Sequence, residues 1–206
     1  MSMPLEDLAP AFLVDSSHGI LLANLYVLYR ALDLAIEDWQ RASRLLCPPA
    51  CGTCCATYEP TVLPIEGMAV AAYAAQGHPA TAPLLDSEPS VEALGCVFYD
   101  PGNARHCTVY VARPLECRLF AFSAVRDKDS RPVYRLCRHM PGPGPRTTGT
   151  ETLRERYGAL PPTMQDYSAR LQALSGGSSR RLREEARAAW RTVCLLRALA
   201  AGERLP

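Results

Sequence analysis

Cys47-Pro-Pro-Ala-Cys51-Gly-Thr-Cys54-Cys55 puts four thiols into nine positions, a C-x3-C-x2-C-C array, and the rest of the chain is read outward from it. Four more cysteines follow at Cys96, Cys107, Cys117 and Cys137, and a ninth, Cys194, stands alone near the end. Thiols this dense are either oxidised to disulfides or bound to a soft metal. Three features favour metal. The cysteine count is odd, Cys54 and Cys55 are adjacent and poorly placed to bridge, and Met1–Pro10 lacks the basic start of a secretory signal. A reducing, cytoplasmic setting is therefore expected.

Metal coordination accounts for the spacing. Cys51-Gly-Thr-Cys54 is a C-x2-C knuckle, which lets two sulfurs converge on one ion, with Gly52 permitting the turn. Adjacent side chains tend to point apart, so Cys54 and Cys55 are not expected to share one ion. The expected metal ligands are Cys47, Cys51, Cys54, Cys55, Cys96, Cys107, Cys117 and Cys137, enough for two four-thiolate sites or one polynuclear cluster. His106 and His139 stand beside Cys107 and Cys137 and could each replace a sulfur. Four thiolates serve zinc and iron–sulfur centres alike, so zinc or iron, including an iron–sulfur cluster, is the expected cofactor. Zinc is the ion expected after aerobic purification.

On both sides of the array the pattern is helical. Ser16 or Ser17 caps a helix expected to reach about Leu46, with Leu22, Leu25, Tyr29, Leu32, Ile36, Trp39 and Ala42 on its buried face. Asn24, Arg30, Asp33, Glu37 and Asp38 interrupt it, which argues against a membrane span. Pro64 and Glu66 open a second helix that stops near Gly77. Residues 78–94 read as a loop with room for one helical turn. Cys96–Tyr99 and Cys107–Val111 read as the arms of a small hairpin around Asp100-Pro-Gly-Asn103. Residues 124–150 read as polar, with an extended loop at Pro141–Pro145. Two further helices are expected, one at Glu151–Tyr157 leading into Pro162–Leu174 and one at Ser179–Ala201, broken at Gly176-Gly177-Ser178. The resulting fold class is mainly α, a helical domain with a cysteine-rich metal-binding region and one small β-hairpin. The expected division is a cysteine-cluster domain over residues 1–140, with a C-terminal helical extension over 141–206 packed on it.

The order of motifs resembles the YkgJ-type cysteine-cluster family, a zinc- or iron-chelating domain. The opening array is matched by Cys47, Cys51, Cys54 and Cys55, the Pro-Glu helix start by Pro64 and Glu66, and a cysteine before an aromatic pair by Cys96, Phe98 and Tyr99. The family signature C-x-I-Y-x-x-R-P-x-x-C-R-x-F is matched from Cys107 through Tyr110, Arg113, Pro114, Cys117 and Arg118 to Phe120, with Val109 in place of isoleucine. The resemblance runs from about residue 45 to 140 and implies metal chelation. Flagellin lysine methylases carry a similar array, which keeps open an iron–sulfur or iron-dependent enzyme, an oxidoreductase or methyltransferase-like activity, beside a binding or accessory module.

Other features have plain readings. Arg113 and Arg118 flank Cys117 and are expected to offset thiolate charge rather than bind a substrate anion. Tyr110, Trp39 and Trp190 read as core, and His18 and His78 as solvent-facing. Arg180, Arg181, Arg183, Arg187 and Arg191 read as a solvated face of the last helix, offset by Glu184 and Glu185. Cys194 reads as a small core hydrophobe and not a ligand. A formal charge of +1 gives no basic field for nucleic acid. The first three cysteines share their spacing with radical-SAM enzymes, but they follow a long helix and there are too few strands for a β/α barrel. The expected partners are a metal ion and an unidentified protein.

Overall fold

A computed structural model describes residues 9–49, 51–78, 80–87, 95–142 and 145–202. In chain order the elements are α1 (Ala11–Val14), α2 (Ser17–Ser43), α3 (Thr53–Thr57), β1 (Thr61–Val62), α4 (Pro64–Ala75), α5 (Ala82–Asp86), α6 (Leu115–Leu119), β2 (Ala124–Arg126), β3 (Pro132–Arg135), β4 (Thr147–Gly149), α7 (Thr150–Tyr157), α8 (Met164–Ser175), β5 (Arg180–Arg181) and α9 (Leu182–Ala200). The fold is mainly α, with two small antiparallel sheets, β1–β5 and β2–β3–β4.

Ser16 caps α2 as expected, its Oγ accepting from the Gly19 amide at 3.1 Å. A Cβ on Gly19 would stand 2.1 Å from the Leu13 carbonyl oxygen, so glycine is what lets α1 fold back onto α2. The predicted stripe from Leu22 to Trp39 is buried, while Ala42 is exposed and Ser43 takes the inward position. The helix stops at Ser43, earlier than Leu46, because Arg44 turns left-handed at φ 58° and its amide closes the last turn on Gln40. By length and composition α2 is apolar enough to cross a membrane. In the fold its inward stripe lies in the main core, and Tyr29 and Asp33 on it are bonded to Glu66 and Arg118.

Between α2 and α9, helix α4 is buried all round, from Ile65 to Ala74. That explains why its expected one-sided stripe widens to the whole circumference. Small residues allow the close approach: a Cβ on Gly67 would come within 2.8 Å of the Glu185 backbone on α9. Leu182, Ala186, Ala189, Trp190 and Val193 complete this contact from α9, each large apolar side chain contributing roughly 1.5–3 kcal/mol of burial. β1 pairs with β5 at Val62↔Arg180, which pins the start of α4 to the start of α9.

A second, smaller core gathers Trp39, Leu45, Tyr134, Met140 and Leu153. Trp39 meets the Tyr134 and Tyr157 rings edge-on, with centroids 5.4 and 5.5 Å away. Here the true hairpin, β2–β3, lies in the stretch read from sequence as polar and irregular. Asp127 makes its turn, with Oδ1 accepting from the Asp129 and Arg131 amides at 2.9 Å. The expected arms at 96–99 and 107–111 keep only one bridge, Tyr99↔Cys107, and otherwise coil through turns. Asp100 accepts from Gly102, and His106 adopts φ 51°, which bends the second arm before a ladder can form.

Candidate metal centre

The cysteines lie on short, turn-rich segments laid over the helical frame. Cys54 and Cys55 sit in the first turn of α3, and Cys117 lies in α6. Cys96 follows Gly95, which is left-handed at φ 83° and packs so closely on α3 that a Cβ would stand 2.4 Å from the Ala56 carbonyl oxygen. The Cys96 amide then donates to the Cys55 carbonyl at 2.9 Å, tying these two cysteine segments through the backbone. Tyr58, at the end of α3, donates to Glu116 on α6 at 2.7 Å, a second tie between cysteine-bearing segments. Gly52 has an ordinary φ of −104°, so its role differs from the turn expected of it. A Cβ there would press to 2.7 Å from the Tyr99 ring and 2.9 Å from the His106 Cβ.

All nine cysteines are free thiols. The Cys54 and Cys55 sulfurs stand 3.8 Å apart, side by side and not diverging as the sequence reading expects. Their rotamers converge because one sulfur bonds the other. That separation equals the edge of a tetrahedron with sulfurs about 2.3 Å from its centre. The sulfurs feel one another's charge across segments. Cys47 is influenced by Cys51, Cys137 and Cys54, Cys55 by Cys54, Cys117 and Cys107, Cys96 by Cys107, Cys107 by Cys54, and Cys117 by Cys96 and Cys107. Cys47 is exposed, and the others are partly buried. Among the described residues no group of three or more His, Cys, Asp or Glu side chains is gathered so that it could hold a metal ion.

The protonation pattern follows from burial and from amide donors. Burial pushes the Cys96 thiol up to about 12, against a bond from the Phe98 amide. Cys107 is also raised by burial, opposed by the Val109 amide and then by Arg113. Cys117 is raised by burial and by the charges of Cys96 and Cys107, again opposed by Arg113. Cys47 is pushed up to about 12 by burial and then by Cys51. Cys51 is drawn down by the Thr53 amide and hydroxyl. In the adjacent pair, the bond from Cys55 draws Cys54 down to about 6 and holds Cys55 up. At three of these cysteines the amide two residues on is the donor, an arrangement that stabilises charge on sulfur.

Charged side chains around the thiols divide into structural and sulfur-facing ones. Arg118 turns away from the sulfurs, correcting its expected role. It bonds Asp33 at 2.7 Å, the Arg113 carbonyl at 2.9 Å and the Val111 carbonyl, and lies over the Tyr29 ring. Arg113 stacks on Tyr110, its Cζ 4.0 Å from the ring centroid, and its buried Nε has no hydrogen-bond partner. Glu66 is buried and accepts from Tyr29 Oη, the Leu63 amide and the Leu115 amide, fixing the first turn of α6 two residues before Cys117.

Arg183 is the residue the sequence reading misses. It is no part of a solvated face: it is buried with Glu59 at 2.6 Å, and its Nη2 donates to the Gly95 carbonyl at 2.9 Å, next to Cys96. Only the pairing of β1 with β5, distant in sequence, brings it there. Arg180 and Arg187 are also engaged, with Glu185 and the Leu85 carbonyl. His139 is exposed, and its Nε2 accepts from Arg138 at 3.0 Å, while His106 packs against Tyr99. His78 stacks on Tyr73 with centroids 3.7 Å apart. Cys194 lies on α9, partly buried against the main core.

The donor chemistry suits a thiophilic ion. The donors are thiols on separate segments, and backbone amides donate to the Cys51, Cys96 and Cys107 sulfurs. A family model with the description "Putative zinc- or iron-chelating domain" and the name CxxCxxCC matches residues 46–138. The match covers the array and ends just after Cys137. Neither the curated proteins nor the solved structures contain a match to the chain.

Proposed function

We infer, from the zinc- or iron-chelating domain that spans residues 46–138, a metal-binding module whose ion is held by cysteine thiolates. The ligands proposed are Cys47, Cys51, Cys54, Cys55, Cys96, Cys107, Cys117 and Cys137. One observation carries the reading: the thiols of α3, the Cys96–Cys107 turns and α6 lie within electrostatic reach of one another, although 62 positions separate Cys55 from Cys117 in sequence. Bound metal supplies Coulomb attraction and covalent closure to these thiolates, and each ligand thiol releases a proton on binding. The chain's own contribution is to place the sulfurs: Glu66 orients α6, Arg183 and Glu59 hold the Cys96 segment, and amides donate to individual sulfurs. Reduced thiols suit a cytoplasmic setting. The role proposed is a binding or accessory module.

Elemental analysis of anaerobically purified protein, with its visible spectrum, tests this. More than one equivalent of zinc or iron per chain, lost when Cys54→Ala is introduced, is the expected result. A colourless protein without zinc or iron, with the eight cysteines paired as disulfides by mass spectrometry, contradicts it.

A further inference from the structure

Two arginines flank Cys117 in sequence, but the fold gives them opposite tasks. Arg118 has its guanidinium committed to Asp33, two backbone carbonyls and the Tyr29 ring. Arg113 has no ion pair among the described residues. Its guanidinium is held flat against Tyr110, and Arg105 stacks on that same ring at 4.4 Å. The Nε of Arg113 is buried and unpartnered, a costly state for a charged donor. Its carbonyl is fixed by the Arg118 Nε, so the backbone at this point is anchored. The charge of Arg113 reaches both Cys107 and Cys117, from opposite sides in sequence.

A solvent-borne anion cannot reach a buried Nε, which argues against a substrate site there. The anions whose charge Arg113 opposes are the Cys107 and Cys117 thiolates. Metal-bound thiolate sets carry net negative charge, and hydrogen bonds to their sulfurs tune affinity. We propose that Arg113, held by stacking on Tyr110, is the positioning residue whose Nε donates to the Cys107 or Cys117 thiolate in the metal-bound protein. This rests on the metal-binding reading above. Arg105, exposed and on the same ring, adds charge at the rim but no buried donor.

Zinc affinity, measured by competition with a chromophoric chelator under reducing conditions, tests it in the full chain. Arg113→Gln should weaken zinc binding roughly 10–100-fold, the range typical of lost donors to metal ligands. Arg113→Lys should fall between, because it keeps the charge without the fixed planar fork. Arg105→Gln should bind as the unaltered chain does. In the cobalt-loaded protein, the sulfur-to-cobalt charge-transfer band should shift in Arg113→Gln but not in Arg105→Gln, a change that a purely structural role does not cause. If Arg113→Gln fails to fold, the Lys variant carries the same two readouts. Unaltered affinity and an unshifted band in the Arg113 variants, or an equal loss in Arg105→Gln, overturn the proposal while leaving metal binding intact. No zinc binding by the unaltered chain overturns the metal reading itself.

Discussion

The helical frame and the cysteine layer are built on different physics. In the frame, α2, α4 and α9 bury leucines, alanines, Tyr29 and Trp190, and glycine at Gly67 lets helices touch. Glu66 there is satisfied by three donors, although the buried Trp39 Nε1 on α2 has no partner. In the layer, short helices and turns carry thiols of which Cys96 and Cys117 are pushed up by burial, with Arg113 Nε and Thr108 Oγ1 left without partners. Apolar burial closes the first region without help. The second also buries Phe98, Val109, Leu115 and Leu119 in the main core, and the closure of its thiols is what we propose coordination completes. The two regions share one apolar core and are joined further by polar ties such as Glu59–Arg183.

The strongest way to break this contrast is at a tie. Glu59 and Arg183 are a buried pair linking α9 to the Cys96 segment. Glu59→Ala leaves a buried guanidinium without its partner and should cost about 3–5 kcal/mol in chemical denaturation. A loss typical of a surface pair would show that the layer does not lean on the frame there. Next is Gly52→Ala, whose Cβ would crowd Tyr99 and His106. It should cost about 1–3 kcal/mol and lower metal content, because α3 must shift. Retained stability and full metal loading would mean that the turn yields more easily than described.

pH separates the two regions further. Burial raises the Cys96 thiol to about 12, above its ordinary value near 9. The folded state therefore binds this proton more tightly than the unfolded one. Metal-free protein should be most stable below about pH 9 and lose that increment as pH rises toward 12. Metal binding displaces the same protons, so affinity should instead rise with pH. Melting curves of the metal-free form and chelator competition check the two slopes, and slopes of the same sign would contradict the assignment. The smallest effect belongs to the frame's own cysteine. Cys194→Ala should leave metal content unchanged and alter stability by about 1 kcal/mol or less. Lost metal would place Cys194 among the ligands.

Legibility in sequence follows the same division. Helices α2, α4 and α9 are readable because their apolar residues recur at helical spacing, and Ser16, Pro64 and the break at Gly176 punctuate the chain. The cysteine array itself is readable as chemistry. The hairpin is misplaced because Cys107-Thr-Val-Tyr-Val has strand composition, whereas the positive φ at His106 and the turns beside it depend on packing against Gly52. The true strands are only three or four residues long and are bounded by an Asp127 turn that polar composition conceals. Arg183 and Arg118 look like solvated or sulfur-facing charges, because their partners Glu59 and Asp33 lie 124 and 85 residues away. The convergence of Cys54 and Cys55 depends on side-chain rotamers, which no spacing rule encodes.

Hydrogen exchange read segment by segment, on metal-loaded and on chelated, reduced protein, tests the central contrast most directly. The account predicts that chelation removes protection from residues 51–57, 95–123 and 136–140, while the amides of α2, α4 and α9 keep theirs. Protection unchanged everywhere, or lost together across frame and layer, would contradict it.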